Sequence, residues 1–202
     1  CTGVLIGPRH VLTAAHCLYD HDSLSWYPAE DLEFVAGFDA GSFAGRSTAA
    51  DIVLASEEAR YLDLAVDQPT RNWAILALEV RLPVRPIRWR VMGQGALAET
   101  LKDGRGTLVR AGYSQDSADH LSAHVGCELD GVGDASGMLL HGCDATQGDA
   151  GSPILLMRPG GLADLLAIDV AVQKGPDRAV GVAVPAWAFD AAARTALGGS
   201  LP

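Results

Sequence analysis

The sequence predicts an all-β chain of sandwich or barrel type that ends in one helix. Three observations carry that expectation. Short apolar runs recur along the 202 residues, each bounded by turn residues. The 23 glycines and 10 prolines supply the joints between them. Only the end of the chain breaks the pattern: Pro185 to Leu197 is Ala-rich, opens on a proline and is followed by Gly198-Gly199, the start and stop signals of a helix.

In chain order the β-like runs are Gly3–Ile6, Val11–Ala14, Leu32–Ala36, Ala50–Leu54, Trp73–Leu78 and Thr107–Ala111. His120–Glu128, Met138–His141, Pro153–Met157, Leu165–Val172 and Ala179–Val184 follow. Many short strands with Gly-rich joints suit a sandwich or a barrel. The stretch Leu82–Gly95, with Pro83, Pro86 and Gly93, reads as a connector between two halves, 1–92 and 93–202. The chain opens at Cys1 on an apolar run, with no initiator Met and no charged leader. That start suggests processing or trimming, with a first strand missing upstream.

Composition narrows the function classes. Fifteen Lys+Arg against 25 Asp+Glu give a net charge of −10, and no basic stripe is present to track a phosphate backbone. Nucleic acid is therefore not an expected partner. No apolar stretch approaches the roughly 18 residues of a membrane-spanning helix. At 49% hydrophobic and 20% charged, the chain can build a sizeable core.

Four cysteines allow three complete pairings. Cys1/Cys17 and Cys127/Cys143 are each 16 residues apart, a spacing that suits a staple across neighbouring strands. The alternative is four buried thiols. With no C-x-x-C pair, a structural zinc site is not expected. Paired disulfides would place the chain in an oxidising compartment, secreted or periplasmic.

Two segments carry candidate chemistry. One runs from Cys1 to Thr13-Ala-Ala-His16-Cys17, the other from Gly142-Cys-Asp to Gly148-Asp-Ala-Gly-Ser-Pro153. A histidine fixed beside a disulfide at a strand end is a well-held general base. A Gly-Asp-x-Gly turn lets successive backbone N–H groups point at one spot, as an oxyanion hole requires.

Together these motifs resemble the chymotrypsin-like serine proteases. Thr13-Ala-Ala-His-Cys17 matches the family's histidine motif, and Gly148-Asp-Ala-Gly-Ser-Pro153 its nucleophile motif, normally Gly-Asp-Ser-Gly-Gly/Ser-Pro. His141-Gly-Cys-Asp and Ala111-Gly-Tyr-Ser114 are most similar to the bacterial secreted trypsin-like and glutamyl-endopeptidase-like branch. The resemblance implies two six-stranded antiparallel β-barrels with the site between them, then a C-terminal helix. It implies peptide or protein substrates and no cofactor or metal. Gly148 and Ala150 would supply the oxyanion N–H groups, and His16 the base.

Two departures stand out. Ala150 occupies the nucleophile position and has no oxygen to attack a carbonyl. Asn72, before Trp73-Ala-Ile-Leu76, occupies the position of the triad aspartate. Ser152 lies two residues from Ala150, which moves its hydroxyl by about 6 Å. Asp67 lies about 16 Å along an extended chain from Asn72, and Asp63 further. Both stay as rivals for the acid if a loop folds back. The chain as written is expected not to hydrolyse peptides. It is either a protease disabled by Ser→Ala at position 150 or a natural pseudoprotease that binds peptides or partners.

The resemblance also points to specificity. Asp144, six residues before Ala150, falls at the pocket base, where an acid implies a basic substrate side chain. Asp169, in Ala167-Ile-Asp-Val-Ala-Val172, stands where glutamyl endopeptidases carry a histidine. Gly181 resembles the glycine that keeps the pocket open. Asp149 resembles the aspartate that pairs with a processed N-terminus. His10, His21, His120, His124 and His141 look unremarkable.

Overall fold

The computed structural model describes residues 1–55, 68–133, 136–146, 148–174 and 177–198. The rival acids Asp63 and Asp67 lie outside the described residues.

Among the described residues the fold is mostly β. A first antiparallel sheet takes β1 (Gly3–Gly7) and β2 (His10–Thr13). The hairpin β3 (Tyr19–Asp20) and β4 (Ser25–Trp26) stands apart as its own two-stranded sheet. The first sheet then adds β5 (Glu33–Ala36), β6 (Gly45–Leu54) and β7 (Ala74–Leu78). Its order is β1-β2-β7-β6-β5. The rest of the chain builds β8 (Arg88–Trp89), α1 (Gln94–Lys102), β9 (Thr107–Gly112), β10 (Ser122–Val125), β11 (Leu129–Val132) and β12 (Leu139–His141). It continues through β13 (Pro153–Arg158), β14 (Leu162–Lys174) and β15 (Ala179–Pro185) to α2 (Ala186–Ala196). The second sheet runs β10-β9-β13-β14-β15-β12-β11, with β8 laid parallel on β14. Two curled, largely antiparallel sheets and a C-terminal helix form the double-barrel architecture that the sequence resemblance implies, with five described strands in the first sheet and eight in the second rather than six in each.

Strand alternation explains how two sheets share one interior. Successive side chains point to opposite faces. On β1, Leu5 joins the core of the first sheet, with Val11, Leu76 and Leu78. Its neighbours Val4 and Ile6 face the other way, into a core shared with Val109, Leu155, Ile168 and Phe189. Leu108, Ile154 and Leu166 fill the second sheet. The shared core holds the two halves against each other, so loops from both meet along one seam.

α2 forms where its sequence signals place it. Pro185 caps it, and Gly198 follows it with φ +68°. Phe189, fully buried, anchors it to the shared core. The predicted connector differs. Leu82–Gly95 contains β8, and helix α1 begins at Gln94, after a non-helical Gly93. Leu97 is the one buried residue of α1 and docks it on the second sheet. The predicted strand His120–Glu128 shortens to β10, which stops before Gly126, whose φ of +85° lies outside the strand region.

Candidate active site

Strand register brings His16 and Asn72 together. Thr13 on β2 pairs with Ala74 on β7 in antiparallel sense. The chain that leaves β2 and the chain that enters β7 therefore emerge at the same end of the sheet. His16 sits on a 3-10 turn over Ala15–Leu18, whose buried Ala15 and Leu18 pin it to the sheet. The disulfide Cys1–Cys17 ties the next residue down. Asn72 follows a second 3-10 turn, Pro69–Arg71, and is buried beside Trp73.

The contact between them is close. Asn72 Oδ1 accepts the His16 backbone N–H at 3.1 Å. His16 Nδ1 lies 3.1 Å from Oδ1 and 3.0 Å from the Asn72 amide nitrogen. Burial pushes the His16 imidazole below its ordinary pKa, and the Asn72 hydrogen bond opposes the shift. An aspartate would add a full negative charge here; asparagine adds only a dipole.

On the other side of the seam, residues 148–152 form a tight turn. Its backbone is bonded on three sides. Thr2 N–H donates to Ala150 O at 2.8 Å, Gly151 N–H to Asp169 O at 2.7 Å, and Ser152 N–H to Asp149 O at 2.8 Å. Gly148 has φ +95° and Gly151 φ +86°, both in the left-handed region. A Cβ at Gly151 would collide with the Thr2 carbonyl. Among the described residues, the N–H groups of Gly148 and Ala150 have no protein partner. These are the two donors that the sequence motif nominates. His16, Gly148 and Ala150 line one cleft of about 510 Å³, with Ala145, Val170 and Val172 among its walls. Ser152 is fully buried, with its Oγ against Gly112, so it offers no nucleophile to that cleft.

Beneath the turn lies a charged cluster that the sequence reading did not assemble. Arg110, on β9, is 3% exposed and pairs with Asp149 through Nη2. Its Nε is 3.7 Å from Asp169 Oδ2. Asp169 Oδ1 in turn lies 3.5 Å from Nε2 of the fully buried His141. Asp149 also accepts Ser114 Oγ–H at 2.7 Å and the Thr146 N–H at 2.6 Å. Cys143 N–H donates to His141 Nδ1 at 3.3 Å, which leaves Nε2 to carry the ring proton toward Asp169. Burial pushes the Arg110 guanidinium down, and the Asp169, Asp144 and Asp116 charges oppose it. The disulfide Cys127–Cys143 closes the loop above the cluster.

The residues expected around the pocket are placed as follows. Asp144 does not line the cleft: its side chain is 94% exposed and lies 3.3 Å from His124 Nδ1. Asp169 is a neighbour of the cleft, but its carboxylate is turned inward onto Arg110 and His141. Gly181 does not hold a pocket open. It faces His141 across β15 and β12, and a Cβ there would strike the imidazole ring. Asp149, which resembles the aspartate that pairs with a processed N-terminus, pairs here with Arg110. His141, read as unremarkable, is central to the cluster. The sequence did hold a signal: Arg110 interrupts the apolar run Leu108-Val109-Arg110-Ala111, and a charge in a buried strand requires a partner.

Comparison with known proteins agrees with the motifs. The family model of the trypsin-like peptidase domain matches residues 1–161. No curated protein matches the chain.

Proposed function

The chain belongs to the trypsin-like peptidase domain family, and from that premise we propose that its cleft binds a peptide as a serine endopeptidase does but does not cleave it. The observation that carries this reading is the pairing of an ordered oxyanion turn with Ala150 at its centre. The turn presents two N–H donors to a substrate carbonyl. Ala150 supplies no oxygen for the acyl-enzyme.

Asn72 points the same way. Its Oδ1 already accepts the His16 backbone N–H. Both its oxygen and its amide nitrogen lie against Nδ1, so unlike a carboxylate it does not by itself fix the proton on Nδ1 and leave Nε2 bare, and it brings no charge to stabilise the imidazolium. The comparable Asp→Asn change in a serine protease triad costs about 10⁴ in kcat. Two independent losses of chemistry favour a natural peptide- or protein-binding module over a protease disabled at one position. The two disulfides suit an oxidising, secreted or periplasmic setting.

Restoring the missing groups tests the reading. The chain as it stands should show no hydrolysis of a peptide ester above background. Ala150→Ser with Asn72→Asp should show turnover with an acyl-enzyme burst. A double variant that folds and does not hydrolyse the ester contradicts the peptidase ancestry of the cleft. Hydrolysis with Ala150 in place contradicts its inertness.

A further inference from the structure

We infer that the pocket beside the oxyanion turn takes an uncharged apolar side chain, not a basic one, and that Val172 is its specificity-determining residue. The inference rests on the cleft binding peptides, as proposed above.

The walls of the cleft carry it. Past Asp169, β14 bulges between Asp169 and Ala171, and its burial changes at the same place. Val170 is buried, whereas Ala171 and Val172 emerge into the cleft. Val172 is 45% exposed, an apolar side chain open to any occupant. Ala145 and Ala150 also line the cleft. These side chains hold no charge.

The acids nearby do not change that. Two carboxylates, Asp149 and Asp169, border the cleft, and both are 2% exposed. Each already faces Arg110. Asp169 also faces the proton on His141 Nε2. A guanidinium or ammonium entering the cleft would meet backbone and methyl groups while losing its hydration. Burying a charge without a partner is costly, whereas an aliphatic side chain gains by covering Val172 and Ala145. Asp144, the acid that the sequence places at the pocket base, stands in solvent on His124.

The contrast is specific to these residues. The same Asp169 with no arginine on β9 would present a free carboxylate under the pocket. Arg110 sets one positive charge against the two carboxylates and faces both of them beneath the turn, away from the cleft.

The test uses the chain as it stands and a series of N-acetylated, fluorophore-labelled tetrapeptide amides. They differ only at the side chain preceding the held carbonyl: Ala, Val, Leu, Lys or Arg. Fluorescence polarisation gives each Kd. The aliphatic peptides should bind about tenfold more tightly than the Lys and Arg peptides. Val172→Glu should reverse the order by placing an acid at the wall, with a gain of about threefold for the Arg peptide and a loss of about tenfold for the aliphatic ones. Tighter binding of Lys or Arg by the unmodified chain overturns the inference while leaving the peptide-binding reading intact. A Val172→Glu variant that folds and keeps the original order shows that Val172 is not the determinant, and overturns it too. If no peptide binds, the peptide-binding reading fails first and takes the inference with it.

Discussion

The two sides of the cleft have different fates. On the first sheet, the pair that would move a proton keeps its geometry and has lost its charge: His16 and Asn72 are in contact, without a carboxylate. On the second sheet, the turn that would hold a carbonyl is kept and heavily supported. Asp149, Arg110, Asp169 and His141 link it to β9, β12 and β14. Binding needs the turn and not the dyad.

The largest test of the contrast is chemical. In an Ala150→Ser background, adding Asn72→Asp should raise kcat for ester hydrolysis by about 10⁴. Equal activity with Asn or Asp at position 72 would mean that the dyad is not degraded in function.

Stability provides the next test. Arg110→Met removes the cation from a buried cluster and leaves two carboxylates without it. Breaking such a buried pair costs about 3–5 kcal/mol, so Tm should fall by roughly 10 °C. Asn72→Ala loses hydrogen bonds at the seam and should cost only about 1–2 kcal/mol. Calorimetry of both variants checks the difference. Equal costs would remove the asymmetry between the two sides.

A smaller effect is a change of sign in pH dependence. Burial holds the His16 pKa below its ordinary value. The unfolded chain then binds the proton more readily, so His16 contributes stability above the unfolded pKa of about 6.5. That contribution is lost as pH falls through the folded value. Asn72→Asp should raise the folded pKa by placing a negative charge beside the ring. NMR titration of the His16 ring protons should find the midpoint below 6.5 in the chain as it stands and higher in the variant. A midpoint unmoved by the new carboxylate would mean that residue 72 does not govern the histidine.

The readability of the two sides from sequence follows from chain distance. His16, Asn72 and Ala150 were legible because each lies in a short motif whose neighbours are fixed by local geometry. Their convergence also follows from strand pairing, Thr13 opposite Ala74. The buried cluster was not legible. Arg110 is 39 residues from Asp149 and 59 from Asp169 (149 − 110 and 169 − 110), and β9 reaches β14 only through β13. The family resemblance placed Asp144 at the pocket, yet the loop after Cys143 turns its side chain to solvent against His124. Helix α1 was hidden by Gly93 and Gly95, which read as joints although Leu97 gives the helix its one buried anchor.

The most direct measurement of the central claim follows the two N–H groups proposed as oxyanion donors. Amide ¹H–¹⁵N spectra of the unmodified chain should be recorded with increasing amounts of an N-acetylated aliphatic tetrapeptide amide. The Gly148 and Ala150 N–H resonances should move downfield together and saturate, as both begin to donate to the peptide carbonyl, while the peptide stays intact. Resonances that stay in place at saturating peptide, or peptide that is cleaved, would contradict a cleft that binds without cutting.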